Sequence, residues 1–147
     1  MTSPYRCAFA LLAVLPFLAA CENGAVSMMI DGRTHAVILV REQHYFWNDT
    51  VEQSIIASRL PDCQRKVKIH PGRTAMTPIE VYEAGEMLWA LRQGNQWYLV
   101  STGECRVQDW NKPGDQSPGH ATGRFEPRDG KIVFTPAPSP PPQTGGA

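Results

Sequence analysis

The sequence lacks an excess of charge of either sign. Its 147 residues carry 14 Lys and Arg against 14 Asp and Glu, which gives a formal net charge of zero. Proteins that bind nucleic acid need surplus cations to displace counterions from phosphates. The balance therefore predicts that nucleic acid is not a partner, and the length fits a single folded domain.

The sequence also lacks the short motifs that mark common catalytic and cofactor sites. It has no Gly-rich phosphate loop, no Gly-x-Ser-x-Gly elbow, no His-Glu-x-x-His and no Cys-x-x-Cys. Its four histidines lie in separate segments, and none has a second His or Cys at the spacing of metal ligands. We therefore predict no catalytic residues, no metal and no cofactor, so that the protein is not an enzyme.

A third absence is an apolar run long enough to cross a membrane near the amino terminus. The run there covers residues 7–18, whereas a membrane-spanning helix needs about 20 apolar residues. Arg6 precedes this run, and the sequence Leu18-Ala19-Ala20-Cys21 closes it. A positive charge, a short apolar stretch and small residues in this order predict a cleaved signal peptide over residues 1–20.

The closing residues resemble the lipobox of bacterial lipoproteins, in which a Leu and two small residues precede the cysteine that is modified. The resemblance implies cleavage before Cys21, a diacylglycerol thioether on its sulfur and an acyl group on the new amino terminus. Several acyl chains hold a protein at a membrane stably, whereas one chain does not. In this family an Asp after the cysteine signals retention in the inner membrane. Glu22 stands there, so the expected location is the outer membrane, with the domain facing the periplasm.

The rest of the chain divides into three parts. Residues 21–25 are expected to form a lipidated tether and residues 26–134 a folded β domain. Residues 135–147 are rich in proline and poor in large apolar side chains. Such a segment cannot bury enough surface to offset its ordering entropy, so a disordered tail is predicted.

Turn signals between apolar segments predict β-hairpins in the folded block. They are Asp31-Gly32, Gly94-Asn95 and Asp129-Gly130. In the third hairpin Pro127 cannot donate a ladder hydrogen bond, which predicts that its strand lies at a sheet edge.

The hairpin around residues 94–95 has the clearest register. A two-residue turn places Leu91 opposite Tyr98 and Trp89 opposite Val100. Because side chains alternate between the two faces of a strand, one face becomes the predicted core. It carries Met87, Trp89, Leu91, Tyr98 and Val100.

Residues 49–60 are ambiguous between a helix and a strand. Asp49 followed by Glu52 resembles a helix cap. Residues 54–59 alternate as a strand does, and Pro61-Asp62 then forms a turn, so we favour a hairpin. The sum is about eight or nine short strands, which predicts an all-β fold: a small antiparallel meander, sandwich or barrel.

Two cysteines remain after the signal peptide is removed and Cys21 is lipidated. Cys63 and Cys105 form an even pair, and in an oxidising compartment such a pair is expected to form a disulfide. The two cysteines are 42 positions apart, whereas a redox active site usually places its cysteines two residues apart. A structural disulfide is therefore predicted.

Two groups of side chains are candidates for a binding surface. A strand over residues 65–70 would place Lys66, Lys68 and His70 on one cationic face, suited to anionic envelope polymers or lipid head groups, although a solvated face is the simpler interpretation. Aromatic residues form the second group, which could line a groove for a sugar or a peptide or pack in the core. They are Tyr45, Phe46, Trp47, Trp89, Trp97 and Trp110, with Trp97 the best candidate for exposure.

Together these features predict a lipid-anchored periplasmic module of the bacterial cell envelope with a binding or structural role. Its expected partners are the membrane, through the lipid anchor, and an envelope protein or cell-wall polymer. Small size, β content, one disulfide and an anchor also suit a periplasmic inhibitor of a cell-wall-degrading enzyme. A third possibility is an enzyme whose site is assembled from scattered residues.

Overall fold

The computed structural model describes residues 22–111, 114 and 118–138. Within these residues it contains ten β-strands and no helix, which confirms the all-β prediction and adds a strand to the expected count. The described part of the chain therefore has no helix that could cross a membrane. The predicted signal peptide, Cys21 and the tail beyond Pro138 lie outside the described residues.

The strands are β1 (Asn23–Asp31), β2 (His35–Glu42), β3 (Thr50–Arg59), β4 (Cys63–Arg73), β5 (Ile79–Gly85), β6 (Leu88–Gln93), β7 (Gln96–Ser101), β8 (Arg106–Asp109), β9 (His120–Arg128) and β10 (Lys131–Pro136).

The strands form two antiparallel sheets. The first sheet is a meander of β1, β2, β3 and β4, and the second has the order β10-β9-β5-β6-β7-β8. One core lies between the sheets and takes side chains from both, so the fold is a sandwich. Leu39 and Ile55 come from the first sheet, and Leu91 and Phe125 from the second; all are at most 1% exposed.

Residues 49–60 form a strand, as the hairpin interpretation predicted. β3 pairs with β4 around a short turn, with Arg59 opposite Cys63. The helix alternative was wrong because alternate side chains of β3 enter the core. Val51, Gln53, Ile55 and Ala57 are all buried on that side.

The register of the β6–β7 hairpin is confirmed. Leu91 lies opposite Tyr98 and Trp89 opposite Val100, and all of these side chains are buried. Met87 was wrongly included in the core. It lies before β6 in a turn, with a φ of 52°, and it is 36% exposed.

The prediction that Pro127 marks an edge strand was wrong. β9 lies between β10 and β5, and β10 forms the edge. β9 tolerates the proline because β5 is shorter than β9 and does not extend as far as Pro127. Phe125 lies opposite Ile79, the first residue of β5, so Pro127 falls beyond the paired segment.

Cys63 and Cys105 form the predicted disulfide, with Cα atoms 6.0 Å apart. Cys63 begins β4 in the first sheet and Cys105 precedes β8 in the second. The bond therefore joins the two sheets. We call this end of the sandwich, with the turns at residues 32–34, 60–62 and 102–105, the disulfide end.

The opposite end is called the N-terminal end. It carries Glu22, the loop of residues 43–49, and the turns at residues 94–95 and 129–130. Two predicted boundaries need correction: the start of the β domain, at β1, and its end, at β10. Residues 23–25 belong to β1 rather than to a tether, because Asn23 already pairs with Glu42. Residues 135–136 belong to β10 rather than to the tail, because they pair with β9.

A buried arginine organises the N-terminal end. Arg41 is 1% exposed, and its Nε donates to Glu22 Oε1 at 2.6 Å. Its Nη1 donates to Gln53 Oε1 at 2.7 Å, and its Nη2 to the backbone oxygen of Arg73 at 2.6 Å. Gln53 also bonds to Gln93 of the second sheet at 2.9 Å. A charge-assisted network thus joins the start of the described chain to both sheets.

Candidate binding surface

The structure brings three aromatic side chains together on the outer face of the second sheet. Tyr82, Trp97 and Trp110 come from β5, from β7 and from the residue after β8. The ring centroids of Tyr82 and Trp97 are 5.9 Å apart, and those of Trp97 and Trp110 are 5.7 Å apart. Each residue is half-buried. Because strands alternate, these rings point away from the core that Val81 and Tyr98 enter. We call them the aromatic face.

Two charged side chains flank the aromatic face. Arg92 lies opposite Trp97 in the β6–β7 ladder and places its guanidinium 5.7 Å from the Trp97 ring centroid, within the range of a cation–π contact. Nη1 of Arg92 also lies 3.6 Å from Oε2 of Glu80. The Tyr82 hydroxyl donates to Glu80 at 2.9 Å. Burial, and next the adjacent Glu80 carboxylate, raise the pKa of Tyr82, so the phenol stays protonated at neutral pH.

A cleft of about 400 Å³ adjoins the aromatic face. Glu80 and Tyr82 line it from β5, Arg124 from β9 and Thr135 from β10. Gly123 allows β9 and β10 to approach closely there. It has a φ of 156°, and a Cβ at this position would lie 2.4 Å from the Thr135 backbone oxygen. The cleft is within the size range of small-ligand sites.

The far side of the cleft carries a cluster around Glu126. Thr135 donates to this carboxylate at 2.6 Å, and Arg124 and Arg128 lie 2.6 and 3.0 Å from it. The hydrogen bond from Thr135, helped by the two arginines, lowers the pKa of Glu126. Glu126 is therefore ionised at neutral pH, and the cluster presents charges of both signs.

Comparison with known proteins gives no relative for this chain. No family model, no curated protein and no solved structure matches it. Within residues 22–111, 114 and 118–138, no three His, Cys, Asp or Glu side chains are grouped as a metal site requires. What the surface can bind is therefore inferred from its own side chains. These are three aromatic rings beside a cleft, and arginines that are paired with Glu80 and Glu126.

The four residues named as binding candidates, Lys66, Lys68, His70 and Trp97, lie in three places. Lys66 and Lys68 share the outer face of the first sheet, where they pair with Glu42 at 3.1 Å and Glu52 at 2.9 Å. Lys68, and then His44, lower the pKa of Glu52 through hydrogen bonds. The cationic character of this face is thus balanced by carboxylates, in agreement with a solvated strand face.

His70 does not share the face of the two lysines. A bulge in β4 separates the pair Gln53–Ile69 from the pair Val51–Gly72, so the alternation of side chains is broken there. The His70 ring nitrogen instead lies 2.9 Å from the hydroxyl of Tyr98, whose side chain is in the core. The prediction failed because a bulge is not visible in the periodicity.

Trp97 and Trp110 are the members of the predicted aromatic group that the structure places on the candidate surface. Trp97 is half-buried, whereas Trp47 is 72% exposed, so the expectation that Trp97 is the most exposed tryptophan was wrong. Trp89 packs in the core. Tyr82 was missed, although Glu80 and Tyr82 are two residues apart and alternation places them on one face. Their approach to Trp97 depends on β5 pairing with β6, as it does in the fold.

A second cavity, of about 670 Å³, opens at the N-terminal end between β1 and the β9–β10 turn. Arg41 and Lys131 line it, which suggests an anion site at first sight. Each nitrogen of Arg41, however, already donates to an oxygen of the protein. The arginine is committed to the network, so the cavity is a weaker candidate than the cleft.

Proposed function

We propose that the protein is a lipid-anchored module of the bacterial cell envelope that binds a cell-wall glycan on the aromatic face. The observation that carries this proposal is the clustering of Tyr82, Trp97 and Trp110 beside the cleft. Sugar rings present apolar C–H faces that stack on aromatic rings, and their hydroxyl groups lie at the rim. Aromatic side chains supply such area at a low entropic cost.

The polar groups around the aromatic face suit a glycan with acidic substituents. Glu80 accepts hydrogen bonds, whereas Arg92 and Arg124 donate them and attract carboxylates. Cell-wall glycans carry hydroxyl, amide and carboxylate groups on one strand. Because Glu80 and Glu126 balance the arginines, the surface has no cationic excess that would favour nucleic acid.

The proposed anchor comes from the resemblance of residues 18–21 to a lipobox. It assigns the protein to the outer membrane, with the domain in the periplasm. The oxidised state of Cys63 and Cys105 is consistent with this compartment. The proposal assigns no catalysis. The two carboxylates accept hydrogen bonds, Glu80 from Tyr82 and Glu126 from Thr135.

The test is co-sedimentation of the full-length protein, in mild detergent, with purified peptidoglycan sacculi. We expect the wild-type protein to sediment with the sacculi and Trp97→Ala to bind about tenfold more weakly, as is typical of a central aromatic contact. Trp47→Ala is the matched control because it removes a tryptophan remote from the aromatic face. Circular dichroism checks the fold of both variants.

Two results would count against the glycan. One is a wild-type protein that stays in the supernatant, and the other is an equal loss of binding in Trp47→Ala and Trp97→Ala. Capture of a cell-wall hydrolase in place of the sacculus would favour the inhibitor that the sequence also suggested.

A further inference from the structure

The loop between β2 and β3 exposes three consecutive aromatic side chains. Tyr45 is 55% exposed, Phe46 61% and Trp47 72%. They pack on one another, since the Trp47 ring centroid lies 5.0 Å from that of Tyr45 and 4.9 Å from that of Phe46. Contiguous exposed apolar surface of this kind usually marks a site of interaction. The sandwich core does not use these rings.

The loop is held in place by the protein around it. The backbone N–H of Asn48 donates to the Tyr45 carbonyl at 3.1 Å, and the Gln43 side-chain amide donates to the Asn48 carbonyl at 2.6 Å. Gln43 is only 4% exposed. The aromatic side chains are therefore presented on an ordered turn.

Gln43 also ties this loop to the start of the described chain. The side-chain oxygen of Gln43 accepts a hydrogen bond from the backbone N–H of Glu22 at 3.0 Å. The backbone N–H of Gln43 donates to the Glu22 carbonyl at 2.8 Å. Arg41 fixes the Glu22 side chain. Cys21 is the preceding residue, and adjacent Cα atoms are about 3.8 Å apart. The attachment point of a lipid on Cys21 would therefore lie beside the aromatic loop.

We propose that Tyr45, Phe46 and Trp47 insert into the interface of the membrane that holds the lipid anchor and so fix the orientation of the domain. This inference rests on the lipid anchor of the proposed function. Tyr and Trp favour the head-group level of a bilayer because their rings are amphipathic. With only one residue between the lipidated cysteine and β1, the acyl chains and the loop reach the same surface together.

The charges around the loop are compatible with a lipid surface. Three carboxylates at this end lie close to cations: Glu22 to Arg41 at 2.6 Å, Asp49 to Arg73 at 2.8 Å, and Glu52 to Lys68 at 2.9 Å. Pairing reduces their repulsion of anionic head groups. The disulfide end would then point away from the membrane.

The experiment measures tryptophan quenching in the lipidated mature protein, which in this account begins at Cys21. The protein is reconstituted into vesicles of phosphatidylethanolamine and phosphatidylglycerol, with or without bromine on the acyl chains. We expect bromine to quench the wild-type fluorescence and Trp47→Phe to lose most of that quenching. Trp97→Phe is the matched control and should keep it, because Trp97 is half-buried in β7 of the second sheet and does not belong to the exposed loop. A mass spectrum of each preparation reports whether Cys21 carries acyl groups.

Each outcome decides the inference. Loss of quenching in Trp47→Phe alone supports it. Acylated protein whose Trp47 is not quenched overturns membrane insertion, leaves the anchor standing and points to a protein as the occupant of the loop. A chain without acyl groups overturns the proposed anchor and the insertion together.

Discussion

At the disulfide end a covalent bond joins the two sheets, whereas at the N-terminal end they meet through Arg41 and a pair of glutamine side chains. The disulfide acts mainly by restricting the unfolded chain. The arginine acts in the folded state, where its hydrogen bonds compensate for burial of its charge. The two sheets are thus linked by a disulfide at one end and by a hydrogen-bond network at the other. Mutations in the two links should lower the free energy of unfolding by different amounts.

The two ends also differ in what they expose. The disulfide end leaves single aliphatic side chains in solvent, such as Leu60 and Met87. The N-terminal end exposes three aromatic side chains in a row beside Glu22. Isolated apolar residues on a surface are ordinary, whereas a cluster suggests a partner. One end thus carries the covalent link between the sheets, and the other carries the exposed aromatic loop that we propose as a contact site.

The largest expected effect is at the disulfide end. Replacing both cysteines, Cys63→Ala with Cys105→Ala, should lower the free energy of unfolding by roughly 4 kcal/mol, because the bond closes a long loop. Urea denaturation followed by circular dichroism measures the loss. A change below about 1 kcal/mol would mean that the unfolded chain is already restricted without the bond.

A smaller effect is expected at the N-terminal end. Arg41→Met removes the charge but keeps much of the volume, and it should cost about 2 kcal/mol because Glu22, Gln53 and the Arg73 carbonyl lose a donor. The same urea experiment measures it. Glu22→Gln is the matched control: it keeps an acceptor for Arg41 and should cost less, about 1 kcal/mol.

Equal losses in the two variants, or a gain of stability in Arg41→Met, would contradict this account of the N-terminal end. The arginine would then be replaceable by apolar packing, as some buried ion pairs are.

The sequence predicted the local parts of the fold well. The turn at residues 94–95 determines which residues of β6 and β7 face each other, and the alternation of Trp89 and Leu91 identifies their buried side. The Cys63–Cys105 pairing followed from the number of cysteines. The edge assignment of Pro127 failed because the partner of β9 is β5, which is remote in sequence and contributes no turn signal.

The candidate site was predicted only in part, for the same reason. Trp97 and Trp110 were both among the aromatic candidates, but Tyr82 was missed, and the three rings meet only through pairings between separate strands. His70 was misplaced because a bulge reverses the alternation in β4. The tie between Glu22 and Gln43 requires that β1 starts three residues earlier than the apolar pattern suggests.

The lipid on Cys21 is the claim on which the location, the glycan partner and the membrane contact all depend. Mass spectrometry of the amino-terminal peptide, taken from protein extracted from its native envelope, tests it most directly. The account predicts a chain that begins at Cys21 and carries the mass of a diacylglyceryl group and an amide-linked acyl chain. An unmodified peptide that begins at Met1, or a free Cys21 thiol, would contradict it.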